Sequence, residues 1–479
     1  MSEARTIFRN TSFLAASRVV ERLATLALIF VVARALGASS LGVYAAAVAF
    51  YGLFTVAGDF GASNLMVREI ARDRSVAAKY LLHLGAAGIL LAALATAGAW
   101  LVIPHVGLEP DLETGFLIVT LATIPGALRI LQESVFVAYQ RLEFQAGVTF
   151  VVSLITVAAT ITLIALGYGV TSLIVAFVVV RWAMVFVYAA LLQRFIVSLR
   201  CRWSFHTLWA QLVEVRAFAG LSLLGGLFAR PEVIILAAVV GTTQAGYYSA
   251  AMRVVLVWQI IPQTFMVNVF PVLSAAYKKK ADEFKRIPEK ASKYLLAITL
   301  PLAAGMIVAA EPIVELIYGS EFEPAVSVMR VLAIALPFFS VNSVLWRVLV
   351  ARDKQGRVLG VFSVAVVMRL TLAIVLAVAF GALGAAVAAT SVIVLYNLAL
   401  AVLVRMAGVD LRVLPLIERF LPATVFMAVV GWLLVPVLAL WFLVPVTAAV
   451  YAVAVWLLRA FSADDIALFR SVLRTHGAR

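Results

Sequence analysis

Charge is what this sequence has least of. Only 13% of its 479 residues are Asp, Glu, Lys or Arg, while 65% are hydrophobic and the mean hydropathy is +1.09. A soluble domain carries roughly a quarter charged and about half apolar residues, so a water-soluble fold is excluded. Cysteine is nearly absent too, and the single Cys201 excludes a disulfide framework and a thiolate metal site. The four histidines, His83, His105, His206 and His476, stand far apart, which argues against a histidine metal cluster. No Gly-rich phosphate loop followed by Lys-Ser/Thr occurs, and no cofactor or metal is expected. Long polar stretches are missing as well, which leaves no room for a large catalytic domain outside a bilayer. What remains is one apolar run after another, and the expected fold class is an all-α polytopic membrane protein.

Read between the charged clusters, the apolar runs predict about fourteen helices. They fall at 10–34, 40–66, 79–104, 114–138, 145–167, 170–194, 216–240, 244–277, 293–310, 324–350, 357–380, 383–405, 415–438 and 440–460. The first run holds Arg18, Glu21 and Arg22 and lacks a small-residue cleavage site after it, so it is expected to be a retained helix. Positive charge then alternates from loop to loop. It collects at Arg5 and Arg9, at Arg68, Arg72 and Arg74, around Arg194 to Arg216, at Lys278 through Lys293, at Arg352 to Arg357, at Arg412 and Arg419, and after Arg459. The opposite loops are bare of it or acidic, as in Pro104 to Gly115 and Glu311 to Glu323; only Arg34 breaks the pattern. Because Lys and Arg favour the cytoplasmic side, an even number of crossings in the cell membrane with both termini in the cytoplasm is expected. Most of the +14 net charge is then topology and contact with anionic membrane lipids, and nucleic acid is not an expected partner.

The chain also repeats itself. Gly37-Ala38-Ser39-Ser40-Leu41-Gly42-Val43-Tyr44 precedes the second helix, and Gly241-Thr242-Thr243-Gln244-Ala245-Gly246-Tyr247-Tyr248 precedes the eighth. Ala77-Ala78-Lys79-Tyr80-Leu81-Leu82 opens the third, and Ala291-Ser292-Lys293-Tyr294-Leu295-Leu296 opens the ninth. A repeat of six helices keeps both halves in the same orientation, the parallel arrangement in which a substrate site lies between the halves. The expected organisation is a six-helix lobe over 1–205, a second over 206–408, and two further helices with a cytoplasmic tail over 409–479.

Ionisable groups inside spans are costly and therefore functional candidates. The arginines are Arg18, Arg22, Arg129, Arg181, Arg230, Arg253, Arg347 and Arg369; the acids are Glu21, Asp59, Glu133 and Glu232. Arg22, Arg181, Arg230 and Arg369 fall nearest the middle of their runs, and at about 2.5–3.5 kcal/mol each they must face a wet cavity or one another's helices. Arg18 and Arg22 share a face one turn apart, with Glu21 beside Arg18. Arg230-Pro231-Glu232 lies at corresponding depth in the seventh helix, where Pro231 predicts a kink. Arg129 and Arg347 sit close enough to a helix end to snorkel, and Arg253 can serve the outer interface in the same way. Glu21, Asp59 and Glu232 are read as counter-ions or, alternatively, coupling groups. Arginine never deprotonates and its planar fork matches phosphate oxygens, so the expected cargo is an anion. Phosphate or diphosphate fits best, and the apolar surroundings favour an amphiphile with an anionic head and a lipid tail.

The stretch Arg34 to Tyr44, followed by Asp59-Phe60-Gly61-Ala62-Ser63-Asn64 and Val67-Arg68-Glu69-Ile70-Ala71, resembles the opening of Wzx-type polysaccharide flippases of the multidrug/oligosaccharidyl-lipid/polysaccharide exporter superfamily. Pro312 to Phe322 also looks like that family. The resemblance implies flipping of polyprenyl-diphosphate-linked oligosaccharide from the inner to the outer leaflet by alternating access, without enzymatic chemistry. It implies a cationic central cavity, carried onto Arg18, Arg22 and Arg230 and also onto Arg181 and Arg369. The expected partners are the lipid-linked oligosaccharide and membrane lipids, with the protein either a monomer or associated with glycan-assembly enzymes. Lipid II flippases are similar in helix count and cavity charge, but Val43-Tyr44-Ala45-Ala46 stands where they carry Asp-Ala-Phe. Three other classes stand beside this one, the last of them a lipid scramblase or structural membrane protein. A membrane enzyme of lipid-linked sugar assembly would need more acidic residues on longer outer loops. An ion-coupled multidrug exporter would need midplane carboxylates to outnumber arginines, the reverse of what is found.

Overall fold

The computed structural model describes residues 3–197, 201–279, 281–462 and 465, with the backbone alone at 3–20, 22, 217, 221, 268, 271, 275, 277–279 and 281–285. No strand occurs among the described residues. The helices are α1 (Glu3–Asp59), α2 (Ala62–Arg72), α3 (Ala77–Val102), α4 (Pro110–Thr120), α5 (Thr123–Ala138) and α6 (Leu142–Ala165). They continue with α7 (Val170–Phe195), α8 (Phe205–Ala229), α9 (Pro231–Ile235), α10 (Thr242–Trp258), α11 (Ile260–Lys279) and α12 (Ala281–Val308). The last are α13 (Ala310–Tyr318), α14 (Pro324–Ala351), α15 (Gln355–Met406), α16 (Val413–Leu434) and α17 (Leu440–Leu457).

Ten of the described helices are long and apolar enough to cross a membrane, and up to twelve if two bent pairs each make one span. The bent pairs are 110–120 with 123–138, at 44°, and 205–216 with 218–229, at 58°. This is an all-α, multi-pass membrane protein. The expectation of about fourteen spans counts as two each the long elements α1 and α15, and both hold two helices joined across a non-helical break. α15 has 52 residues, about 78 Å at 1.5 Å per residue, against a hydrocarbon core of about 30 Å. It breaks at Gly381 (φ 60°), as α1 breaks at Gly37 (φ 78°). Both are left-handed conformations that a Cβ would strain.

Contacts divide the chain into two compact units, Met1–Arg253 with Phe362–Ala388, and Val254–Val361 with Ala389–Arg479. In the first, α2 packs on α3, α5 and α8 and buries Ala62, Leu65, Met66 and Ile70 in one cluster with Leu84, Leu131, Phe136 and Tyr188, all closed to solvent. That spacing puts all four on one helical face. The opposite face carries Arg68 and Arg72, which reach Glu69 at 2.6 and 3.1 Å.

The first repeat pair meets in this unit. Gly37 and Gly241, both at positive φ, each lead into a helix whose first turns face the other's. A Cβ on Gly42 would lie 1.8 Å from the Thr242 carbonyl oxygen, and one on Gly246 would lie 2.0 Å from that of Ala38. Ala38 and Thr242 are separated by the same 204 positions as Gly42 and Gly246. The two copies therefore pack reciprocally, each glycine admitting the other's backbone, the geometry of a self-complementary two-fold contact between small residues. Hydroxyls close the seam: Ser39 Oγ lies 2.8 Å from Thr242 Oγ1, which donates to Glu109 Oε2 at 2.6 Å.

The second unit is organised on α12, which packs against α14 and α16, with α17 laid on α16. Phe420, Ala423, Val455 and Ala460 are buried together, with Phe461 packed on them. Behind α17, Asp465 is buried and accepts from Lys293 Nζ, from Tyr294 Oη at 2.8 Å, and from the Ser462 amide and hydroxyl at 2.8 and 2.6 Å. The repeated tyrosine does the same in the first unit, where Tyr80 Oη donates to Glu214 at 3.3 Å. Burial alone would raise the Asp465 carboxyl, but the donors Lys293, Ser462 and Tyr294 outweigh it and hold it well below the usual carboxylate range. A depressed native value stabilises the fold above the unfolded-state value of about 3.9, and that stabilisation is lost only as pH falls through the lower native one.

Two outcomes follow for thermal unfolding of the purified protein. Gly246→Leu, which drives a side chain into the Ala38 backbone, lowers the midpoint by several degrees, whereas Gly98→Ala, with open space around it, leaves it unchanged. Asp465→Asn lowers the midpoint at pH 7 because Lys293 is left buried without its anion, and the gap between mutant and parent stays constant down to pH 5.

Candidate functional site

The first unit holds a cleft of about 290 Å³ walled by α1, α6 and α7. Among the described residues its charged lining is Arg129, Arg181, Arg230 and Arg253, with Glu21 the one carboxylate. Each arginine comes from a different element. Arg129 lies on α5, Arg181 on α7, Arg253 on α10, and Arg230 at the joint between α8 and α9.

The joint is where sequence chemistry shapes the site. Pro231 has no amide to continue the α8 ladder, and the chain breaks at Arg230 (φ −156°, ψ 51°). A short half-helix follows, α9 and then a wide-turn segment at Leu236–Val240, ending at Gly241. Such a π-segment loosens the ladder and is frequent at functional sites. Arg230 thereby stands at the meeting of two clefts. The second, about 410 Å³, is lined by apolar residues, among them Val48, Leu53, Val56, Leu227, Ile234 and Leu370, with Arg230 its single charge.

The arginines differ in how their charge is met. Arg129 Nη1 lies 2.5 Å from Glu133 Oε1, one turn on, and Tyr188 Oη donates to the same oxygen at 3.2 Å. Arg181 has no ion pair among the described residues. Its guanidinium sits 4.5 Å over the Phe177 ring and 5.7 Å from the Tyr51 centroid, with Nη1 3.4 Å from Met184 Sδ and a buried Nε that meets no acceptor. Ring faces and a thioether satisfy a guanidinium poorly compared with a carboxylate or phosphate, so Arg181 retains donors for an anion. The Tyr51 hydroxyl, on the cleft wall, is likewise buried without a partner among the described residues.

Of the residues singled out from sequence, Arg181, Arg230 and Glu21 are brought to this cleft. The side chains of Arg18 and Arg22 lie outside the described residues; their backbone belongs to α1. Arg369 is not on the lining: it is buried, with Nε 2.5 Å from Glu232 Oε1 and Nη2 3.1 Å from Oε2. Asp59 is engaged at the α1–α2 turn, where it accepts from the Ser63 amide at 3.0 Å and its hydroxyl at 2.9 Å. Arg129 and Arg253, read as candidates for snorkelling, line the cleft instead. Arg129 is held there by Glu133, one turn on in its own helix. Arg347 donates to the Ser343 carbonyl at 2.9 Å within its own helix. Among the described residues no group of three or more His, Cys, Asp or Glu is placed to share a metal ion.

Known proteins resemble this chain throughout its length. A family model described as polysaccharide biosynthesis protein matches residues 31–327, and one described as lipid II flippase MurJ matches 232–462. A probable low-salt glycan biosynthesis flippase, Agl15 of Haloferax volcanii, is 26% identical over 364 residues, 74% of each chain. Among solved structures, a lipid II flippase MurJ in an inward closed conformation superposes with a TM-score of 0.76 at 15% identity, covering 96% of this chain and 99% of that one. A multidrug resistance MATE family transporter of the MOP superfamily, inward-facing, gives 0.65 at 16% identity over 81% and 95%. At those identities the structures speak for a shared fold.

The two kinds of arginine predict different mutant behaviour. Arg129→Met strands a largely buried Glu133 and costs about 3–5 kcal/mol of stability, whereas Arg181→Met removes no ion pair and costs about 1 kcal/mol or less, both read from chemical or thermal unfolding in detergent.

Proposed function

The chain belongs to the polysaccharide biosynthesis protein family, and from that premise we propose that it is a flippase for a polyprenyl-(di)phosphate-linked oligosaccharide or related anionic glycolipid. The cargo passes from the cytoplasmic to the outer leaflet by alternating access and feeds cell-surface polysaccharide or glycan assembly. No bond of the cargo is made or broken, so the protein acts as a transporter and not as an enzyme. Its place is the cell membrane, with both termini in the cytoplasm, and the lobes 1–205 and 206–408 rock to expose the site to one leaflet and then the other. It works as a monomer or beside glycan-assembly enzymes.

One observation carries this reading: four arginines line a cleft that shares Arg230 and Val48 with an apolar neighbour. A diphosphate presents several oxygens that accept charge-assisted hydrogen bonds from guanidinium forks. An isoprenoid tail gains from an apolar trough beside them. Arg181, Arg230, Arg18 and Arg22 are the proposed contacts to the anion. Glu21 and Glu232 act as counter-ions, and Asp59 holds a turn. The related Agl15 is named a probable glycan flippase, which supports the same class of cargo. An ion-coupled multidrug exporter is the alternative that the MATE-like fold allows. It would take cations, and the described lining, four arginines with Glu21 among them and Glu133 pairing one of the four, carries a net positive charge that disfavours them.

Deleting the gene causes lipid-linked oligosaccharide to accumulate on the cytoplasmic leaflet, assayed by its inaccessibility to a periplasmic or external glycan-modifying enzyme. Complementation with the parent clears it, and complementation with Arg181→Met/Arg230→Gln does not, although that protein is present in the membrane at the parent level. Full clearing by the double mutant would remove the proposed anion contacts.

A further inference from the structure

We propose that Arg369, which is not on the cleft wall, is a positioning residue that sets the charge of the cleft by clamping the break beside Arg230 and keeping Glu232 out of it. The inference rests on the reading of the cleft as an anion site, and it is argued from contacts that the reading itself did not use.

Arg369 reaches both sides of the break. Beyond it, the guanidinium engages both oxygens of Glu232 in a two-point pair, with side-chain exposures of 7% and 1%. Before it, the same guanidinium lies 4.5 Å over the ring of Phe228, in the last turn of α8. Phe228 in turn packs at 4.9 Å against Phe362, two turns from Arg369 on the same stretch of α15. The only residues between these two grips are Ala229, Arg230 and Pro231. A joint with a missing amide has a soft bend; an ion pair on one side and a stacked ring on the other hold it at one angle. That angle decides where Arg230 points, and Arg230 lines both the polar and the apolar cleft.

Charge gives the second half of the argument. Glu232 is two residues from Arg230, and a carboxylate freed there adds a negative charge beside a site whose other lining charges are mainly positive. With both oxygens occupied by Arg369, Glu232 is spent on the clamp. A fork is needed for this: one planar group must meet two oxygens and lie flat on a ring at once, which an ammonium cannot do. The sequence already marked Glu232 and Arg369 as intramembrane charges, but 137 positions separate them and nothing in the pattern joins them.

The test reads the potential of the cleft directly and needs no cargo. Ser153, on the α6 wall, is changed to Cys in a Cys201→Ser background, so that the thiol at 153 is the sole one. Purified protein is treated with an anionic sulfonatoethyl and a cationic trimethylammonium methanethiosulfonate, and the ratio of their rates is compared with that for a free thiol. The parent favours the anionic reagent. Arg369→Gln lowers the ratio by about tenfold, because Glu232 is released. Glu232→Gln/Arg369→Gln restores it to within about twofold of the parent, and Glu232→Gln alone leaves it at or above the parent value. A residue that only stabilised the fold would leave the double mutant no better than the single. The proposal is overturned if Arg369→Gln leaves the ratio unchanged, if the double mutant stays low, or if Glu232→Gln alone lowers it; this last arm decides even where Arg369→Gln does not fold. Failure of the deletion strain to accumulate glycolipid would count against the transport reading and leave this ratio untouched.

Discussion

A guanidinium cannot shed its proton, and that constraint orders the rest of this structure. A buried lysine or carboxylate can become neutral in an apolar setting, but an arginine in a membrane helix must be paired, stacked or wetted. Each solution occurs here. Arg369 is paired with Glu232 and stacked on Phe228, Arg129 is paired with Glu133, and Arg181 lies on aromatic faces at the wall of a cleft, with no ion pair among the described residues. Paired arginines contribute position; Arg181, met among the described residues by rings and a sulfur, is one of those proposed to meet the anionic headgroup.

Glycine and proline decide where those arginines stand. The reciprocal fit of Gly42 and Gly246 brings the backbones of α1 and α10 together, and Gly241 at φ 132° ends the half-helix that begins at Pro231. Between those two fixed points the chain has a nonhelical joint, a five-residue helix and a π-segment, all within a dozen residues. Irregular backbone of this kind is tolerated at membrane depth only where protein or a cavity satisfies it. Here it borders two clefts.

Much of this was legible in the sequence because the relevant signals are local. The class of fold follows from apolar run length, the break at Pro231 from a missing amide, and Arg181 and Arg230 as cleft residues from charge in the middle of apolar runs. The reciprocal glycines stood out as a repeated motif, although nothing in the motif said that its copies touch. What escaped was directional or long-range. Arg129 and Arg253 line the cleft although each falls near the end of its run, and the Glu232–Arg369 pair joins segments that no periodicity relates. The divisions at Gly37 and Gly381 were legible, because a glycine at positive φ breaks each long helical run there.

The most direct measurement of the central claim is ligand discrimination by the purified protein. Geranylgeranyl diphosphate and geranylgeraniol share a tail and differ in the anion alone, so their binding separates the arginine cleft from any apolar groove. The account predicts that the diphosphate binds at least tenfold more tightly than the alcohol, that Arg181→Met removes most of the difference, and that added salt weakens the diphosphate selectively. Equal affinity for the two compounds, or a preference that survives Arg181→Met together with Arg230→Gln, would contradict it.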